Sequence, residues 1–323
     1  MKAIVQDTYG SADVLALRDI DRPVAGDNEV LLAVRAAGVD PGVWHLMTGM
    51  PYLLRVLGFG LRKPKVPTRG RDVAGRVESV GGNVTRFKPG DEVYGACEGS
   101  FAEYAAARED RLAHKPASLT FEQAAAVPIS AWTALQALRD AGEVKAGQHV
   151  LVVGAAGGVG TFAVQLAKAS GAEVTGVCST TKVDLVRSIG TDHVIDYTVE
   201  DFAAGTRRYD LILDIAGNRP LSRLRPALTA KGTLVIVGGE AGGKWTGGIG
   251  RSLRAALLSP FIGHRLRGLI SKETSADLEV LSALIEAGEL TPVIERSFRL
   301  GEAAKAIRHL KEGNARGKVV ITL

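Results

Sequence analysis

The chain has 323 residues, 46% of them hydrophobic and 23% charged, which is enough for two separate cores and outside the composition of disordered chains. Its formal net charge is +5, but Lys and Arg are interleaved with Asp and Glu and aromatics are only 5%, so a basic track with stacking platforms for nucleic acid is not expected. Two cysteines without a CxxC pair, no signal-peptide pattern and no apolar run of about 18 residues point to a cytoplasmic, soluble chain without a membrane span.

Up to about residue 120, strand-like runs alternate with turns. "EVLLAVRAAGV", "AGRVESVG" and "DEVYGACEG" are β-type, punctuated by "GGN", "KPGD" and "EGS". After the first run, Asp40-Pro41 in "VDPGVWHL" reads as an N-cap with proline at the first helical position. The following "PYLLRVLGFGLRKPKVPTRG" mixes Leu, Val and Phe with Arg55, Arg62, Lys63 and Lys65. It reads as a lid over an apolar substrate, a patch for a partner or acidic lipid, or a core contact. "TFEQAAAVPISAWTALQALRD" has helical spacing, with Thr120 as N-cap and Gln123 at the capping-box position.

From residue 148 the rhythm changes. "HVLVVG", "EVTGVCS", "HVIDY", "YDLILDIAG", "GTLVIVGG" and "HRLRGLIS" are six apolar runs, the earlier ones separated by the helical "VGTFAVQLAKASG" and "TKVDLVRSIG". Such alternation predicts a six-stranded parallel sheet covered on both faces, a doubly wound nucleotide-binding domain. Beyond 272, "ETSADLEVLSALIEAGEL" is an amphipathic helix and "GKVVITL" a closing strand, expected to return to the first domain. The predicted domains are 1–121 with 273–323, and 122–272.

The first apolar run of the second domain leads into "GAAGGVG". Here Ala156, Gly157, Gly158 and Val159 bring backbone amides and a helix N-terminus to a pyrophosphate, although the literal GxGxxG is absent. The second run ends in Cys178, Ser179, Thr180, Thr181 and Lys182, with no carboxylate before Asp184. An acid for the ribose 2′-hydroxyl of NADH is therefore missing, and Ser179, Thr180 and Lys182 suit the 2′-phosphate of NADPH, although Lys182 taken alone also reads as a solvated residue at a helix start. Tyr197 is placed to cover the adenosine ribose. The ends of the fourth and fifth runs, "AGN" with Gly217 and "VGG" with Val237 and Gly238, are expected beside the nicotinamide. The link "EAGGKWTGGIGRSLRAALLSPFIG" is long enough to serve as a wall over nicotinamide and substrate.

The order of "AAGVDPGVWHLMTG", "RGRDVAGRVESVGGNVTRFKPGDEVYG", "GSFAEYAAA", "AAAVPISAWTALQAL", "VLVVGAAGGVG", "HVIDY" and "ARGKVVITL" resembles the medium-chain dehydrogenase/reductase superfamily, in its zinc-independent quinone oxidoreductase branch. The resemblance spans essentially the whole chain. It implies an α/β protein with a GroES-like, β-rich substrate domain and a Rossmann domain, an active site in the cleft between them, NADPH, and often a homodimer formed by pairing Rossmann sheets edge to edge.

Zinc-dependent relatives carry cysteine at the position of Asp40 and a His-Glu pair at Arg71-Asp72. Arginine offers only donors and cannot ligate zinc, so no metal is expected. Without a Lewis acid, oxidation of a plain alcohol loses its means of holding an alkoxide, whereas a quinone or an α,β-unsaturated carbonyl accepts hydride with charge spread onto an oxygen. Zinc-free members commonly have Asn at the position of Asp40 and Tyr at that of His45. An ionised Asp40 only accepts, so it bonds the nicotinamide ribose, orients His45, or simply caps its helix. By position, His45 and Tyr52 are the candidate proton donors, each also readable as a loop-lining side chain. Thr133 matches a position near the cofactor, or is a helix-interior threonine bonded to backbone. The expected partner is a small apolar carbonyl or quinone, with no nucleic acid. The alternatives are an enoyl-thioester reductase, whose carrier phosphate would meet the cations of 55–65, and a non-catalytic NADPH-binding sensor or structural protein.

Overall fold

The computed structural model describes residues 1–217, 219–239, 243–313 and 316–323. Asn218 of the "AGN" strand end and Glu240, Ala241 and Gly242 of the long link lie outside the described residues. The chain divides into two units, Met1–Trp132 with Glu273–Leu323, and Thr133–Lys272.

The first unit opens with β1 (Lys2–Val5), β2 (Ala16–Asp19) and β3 (Glu29–Val39), followed by α1 (Pro41–Thr48), the short α2 (Tyr52–Leu54), β4 (Asp72–Val80), β5 (Glu92–Ala96), β6 (Tyr104–Arg108) and β7 (Leu112–His114). The expected helix over 120–140 is two helices, α3 (Phe121–Ala125) and α4 (Pro128–Gln136), running into a π turn. Thr120 and Gln123 do form a reciprocal capping box. The break falls at Pro128, which has no N–H to continue a helix but suits the first position of a new one.

Strands β8 (His149–Val153), β9 (Glu173–Cys178), β10 (His193–Asp196), β11 (Tyr209–Asp214), β12 (Leu228–Ile236) and β13 (Arg265–Gly268) alternate with α5 (Gly158–Ala169), α6 (Val183–Ser188), α7 (Leu221–Leu224) and α8 (Ile249–Leu258) in the second unit. The chain then returns to the first with α9 (Ser275–Glu286), β14 (Ile294–Arg299), α10 (Ala303–Lys311) and β15 (Lys318–Thr322).

The main sheet of the first unit runs β14-β15-β3-β4-β5-β7, with β6 also on β3. β3 serves two cores. Val30, Leu32 and Val34 point into one, with Val73, Phe87 and Leu112. Ala37 and Val39 point into the other, with Met47, Phe101, Ile307 and Ile321. The switch from even to odd positions follows a register shift between Val34 and Ala36; one extra residue in a ladder reverses which face each later side chain takes. The strand thus hands Asp40 directly to α1.

In the second unit every pairing is parallel, in the order β10-β9-β8-β11-β12-β13. Numbered within the unit this is 3-2-1-4-5-6, the doubly wound order, which opens a crevice where connections leave β8 and β11 in opposite directions. The fold class read from the sequence, a β-rich GroES-like domain plus a doubly wound domain with six parallel strands, is the observed one.

Candidate active site

In the second unit the predicted cofactor residues other than Thr133, which lies in α4, fall at or just beyond the carboxyl ends of the parallel strands. β8 runs into Gly154, whose φ is +93°, and a Cβ on Gly160 would lie 2.1 Å from the Gly154 carbonyl oxygen. Only glycine lets α5 close onto the turn this tightly. Ala156 and Gly157 lie in the turn, and Gly158 and Val159 open the helix. Gly157 is the N-cap of this 12-residue helix and has no side chain to cap its first amides. Backbone donors at the positive end of a helix dipole fit an anion such as a pyrophosphate.

At the end of β9, Ser179 precedes a 3-10 turn, Thr180–Lys182. Ser179 and Lys182 are half-buried, and Thr180 and Tyr197 are exposed. The strand end itself lacks a carboxylate, as read from the sequence, but the neighbouring strand supplies one. Asp196 of β10 registers against Cys178 and accepts from Thr198 through its backbone N at 2.9 Å and its hydroxyl at 2.7 Å. Thr180 and Thr198 share a hydroxyl hydrogen bond of 2.8 Å. Hydrogen bonding, from Thr180 first, holds Asp196 below the ordinary carboxylate range.

Sequence reasoning missed Asp214, the last residue of β11. It is fully buried. Its Oδ1 accepts from Gly217 N at 3.2 Å, its carbonyl accepts from Val237 N and Gly238 N, both at 3.1 Å, and its carboxylate forms an ion pair with Arg251 of α8. Burial raises its pKa, opposed by Arg251. Asp214 thus ties together the strand ends that carry Gly217, through its carboxylate, and Val237 and Gly238, through its backbone carbonyl. The available signal was an ionisable residue closing the otherwise apolar "LILD". A cavity of about 580 Å³ opens here, lined among others by Gly217, Gly239, Arg219, Arg251 and Arg254. Thr133 is half-buried, its hydroxyl 3.4 Å from that of Ser271.

The first unit holds the three residues predicted for catalysis. Asp40 caps α1, its Oδ1 accepting from Gly42 N at 2.7 Å, with Pro41 at the start of the helix. It is 4% exposed, and its Oδ2 has no hydrogen-bond partner among the described residues. Burial pushes its pKa up to about 6, helped by Asp72 and opposed by Lys318 and Arg71. His45, one turn further on and half-buried, places Nδ1 2.8 Å from the Met50 carbonyl. A carbonyl only accepts, so Nδ1 carries the proton, and Met50 is what orients the ring at that nitrogen. Tyr52 begins α2, with the Arg55 guanidinium 4.9 Å from its ring centroid. Arg55 itself is engaged with backbone, donating to Gly49 O at 2.8 Å and Thr48 O at 3.2 Å.

Behind Asp40, Asp72 and Lys318 form a buried pair with a 2.8 Å contact. Asp72 also accepts from Ile129 N at 2.8 Å, and Lys318 donates to Ser130 at 3.2 Å. The pair spans β3, which lies between their strands. A Cβ on Gly38 would come within 2.5 Å of Asp72 Oδ2, so glycine at that point of β3 leaves the pair its space. Arg71 is ion-paired with Glu273. Burial pushes the Cys97 thiol up to about 12. A separate cavity of about 180 Å³ draws Val43 and Leu46 from α1, Leu57 and Phe59 from the segment after Tyr52, and Arg69 and Arg71. Among the described residues its lining does not include Asp40, His45 or Tyr52.

Residues 26–117 match the profile of the alcohol dehydrogenase GroES-like domain, and residues 189–321 match that of a zinc-binding dehydrogenase. The chain is 34% identical to the mitochondrial NAD(P)H oxidoreductase RTN4IP1 of Mus musculus, covering 100% of this chain and 89% of that protein. It is 33% identical to the quinone oxidoreductase of Homo sapiens, covering 100% and 98%. The solved structure of Escherichia coli quinone oxidoreductase complexed with NADPH superposes with a TM-score of 0.84 at 25% identity, covering 100% of both chains. The chain is an oxidoreductase of the medium-chain dehydrogenase/reductase superfamily and belongs to its quinone oxidoreductase branch.

Proposed function

We propose that the protein is a zinc-independent, NADPH-dependent reductase of quinones or α,β-unsaturated carbonyl compounds. The observation that carries this reading is the α5 N-terminus, with glycine as its N-cap, beside a β9 end built from Ser179, Thr180 and Lys182. In a chain of this family, two hydroxyls and an ammonium next to a phosphate cradle suit a 2′-phosphate. The α5 turn, Ala156 to Val159, would hold the pyrophosphate. Tyr197 would cover the adenosine, Thr133 would stand near the cofactor, and Gly217, Val237 and Gly238 would border the nicotinamide. When bound, NADPH supplies the hydride.

The residues at the family's zinc positions do not fit a zinc ion. Asp72 already accepts from Ile129 N and from Lys318. The Lys318 ammonium and the Arg71 guanidinium would face a divalent cation at close range, and the Cys97 thiol, pushed up to about 12, resists becoming the thiolate that zinc binds.

In the first unit, Asp40 holds the start of α1 and so positions His45. With Nδ1 on Met50, His45 can give a proton to the acceptor's oxygen only from Nε2, in its doubly protonated form. The Tyr52 hydroxyl is the other donor. A cytoplasmic location and a homodimer belong to the same proposal; the two free, buried cysteines suit a reducing compartment. The test is NADPH oxidation over a panel of quinones, enones and enoyl thioesters, with NADH as control and a chelator in a parallel arm. Turnover of quinones or enones that survives chelation supports the reading, and turnover restricted to thioesters moves it to an enoyl-thioester reductase. Strict metal dependence, or cofactor binding without turnover of any acceptor, overturns it.

A further inference from the structure

Arg69 is 4% exposed, a degree of enclosure that arginine seldom reaches without a carboxylate on it. Its Nε is buried with no acceptor, and among the described residues no ion pair engages its guanidinium. Its backbone explains why it stays in place. Arg69 N donates to Ile4 O at 3.0 Å and Arg69 O accepts from Phe101 N at 2.9 Å, so its main chain is pinned while the charge lacks a partner. Burial lowers its pKa only to about 10, leaving it charged at neutral pH.

The guanidinium borders the 180 Å³ cavity of the first unit, whose other walls include Val43, Leu46, Leu57, Phe59 and Val66. Arg71 and Lys65 also line it, but Arg71 is committed to Glu273 and Lys65 is exposed. One acid, Glu98, is in the lining; it is solvent-exposed and acts on Arg69 only through space. The site therefore combines an apolar chamber with one enclosed, unneutralised cation. A desolvated guanidinium binds a carboxylate through paired, charge-assisted hydrogen bonds.

We propose that this cavity is a binding pocket for small molecules that carry an apolar body and a carboxylate pairing with Arg69. The pocket goes beyond the reductase reading and does not depend on it.

The test uses the full chain and two non-reacting probes, benzoate and the neutral benzamide, titrated calorimetrically into wild type, Arg69→Gln and Arg69→Lys. Wild type is expected to bind benzoate about tenfold or more tightly than benzamide, the size of one charge-assisted hydrogen bond. Arg69→Gln is expected to lose that preference and Arg69→Lys to keep part of it. Because the Arg69 guanidinium has no ion-pair partner among the described residues, Arg69→Gln should melt no lower than wild type. Equal binding of the two probes by wild type, or a benzoate preference that survives Arg69→Gln, overturns the proposal. If neutral quinones are reduced while the probes bind equally, only this inference fails. If benzoate binds through Arg69 but no acceptor is reduced, the anion pocket stands and the reductase reading fails.

Discussion

Asp40 combines a local task with a costly one. As an N-cap it satisfies Gly42 N, yet its other oxygen is buried near Asp72 without a partner among the described residues. Its folded pKa of about 6 lies above the ordinary aspartate value of 3.8, so the folded state binds the proton more tightly than the unfolded one. The stabilisation is therefore full below pH 4 and lost as pH rises through 6. Asp40→Asn keeps an acceptor for Gly42 and cannot ionise. Relative to this variant, wild type should lose roughly 1–3 kcal/mol of stability between pH 4 and 7, read from urea midpoints along that range. Parallel curves for the two proteins would show that Asp40 does not titrate in this window. The Asp72–Lys318 pair makes the converse case. Lys318→Met strands a buried carboxylate and should cost about 3–5 kcal/mol, measured by denaturant unfolding. Adding Asp72→Leu should restore part of the loss but not all, because Ile129 N then lacks its acceptor.

At the scale of elements, what matters is what each strand delivers at its carboxyl end. β8 delivers the glycine turn, β9 the Ser-Thr-Lys segment, β10 Asp196, and β11 Asp214. The adjacency of β9 and β10 sets Asp196 beside the turn that we assign to the 2′-phosphate. Two opposed substitutions follow. Lys182→Ala should lower the NADPH-over-NADH preference about tenfold or more, the size of one charge-assisted contact. Asp196→Asn, by removing a negative charge, should raise that preference. Both are read as ratios of kcat/KM for the two cofactors; unchanged ratios would remove Lys182 and Asp196 from cofactor choice. The elements themselves were legible from the apolar runs, because a strand buried on both faces needs little beyond its own residues to be recognised. The division of one expected helix into α3 and α4 was missed because periodicity runs straight through Pro128, while the backbone cannot.

For the whole molecule, the doubly wound sheet ends in β13 on one side, near a surface rich in uncovered apolar side chains. Leu253 is 59% exposed, Leu257 72%, Phe261 86% and Ile270 92%. Exposed apolar side chains gathered on one helix and beside an edge strand mark association sites more often than bare solvent faces, which supports the homodimer we propose. Sedimentation velocity at micromolar concentration should show a dimer, and Leu253→Glu with Leu257→Glu should shift it to monomer; a monomeric wild type would remove the idea. Among the described residues no helix is long and apolar enough to cross a membrane.

The six parallel strands of the second unit, the Asp40-Pro41 cap, the Thr120 capping box and the glycine turn before α5 were determined by sequence alone. Each depends on residues within a turn or two of one another, and local backbone geometry acts at that range. Which charges would be enclosed was decided only by tertiary structure. Asp72 and Lys318 lie 246 positions apart, Asp214 meets Arg251 through the return of a distant helix, and Arg69 is enclosed by strands and loops far from it in the chain. Desolvation and ion pairing depend on what long-range packing brings around a side chain, and no spacing along the chain records that.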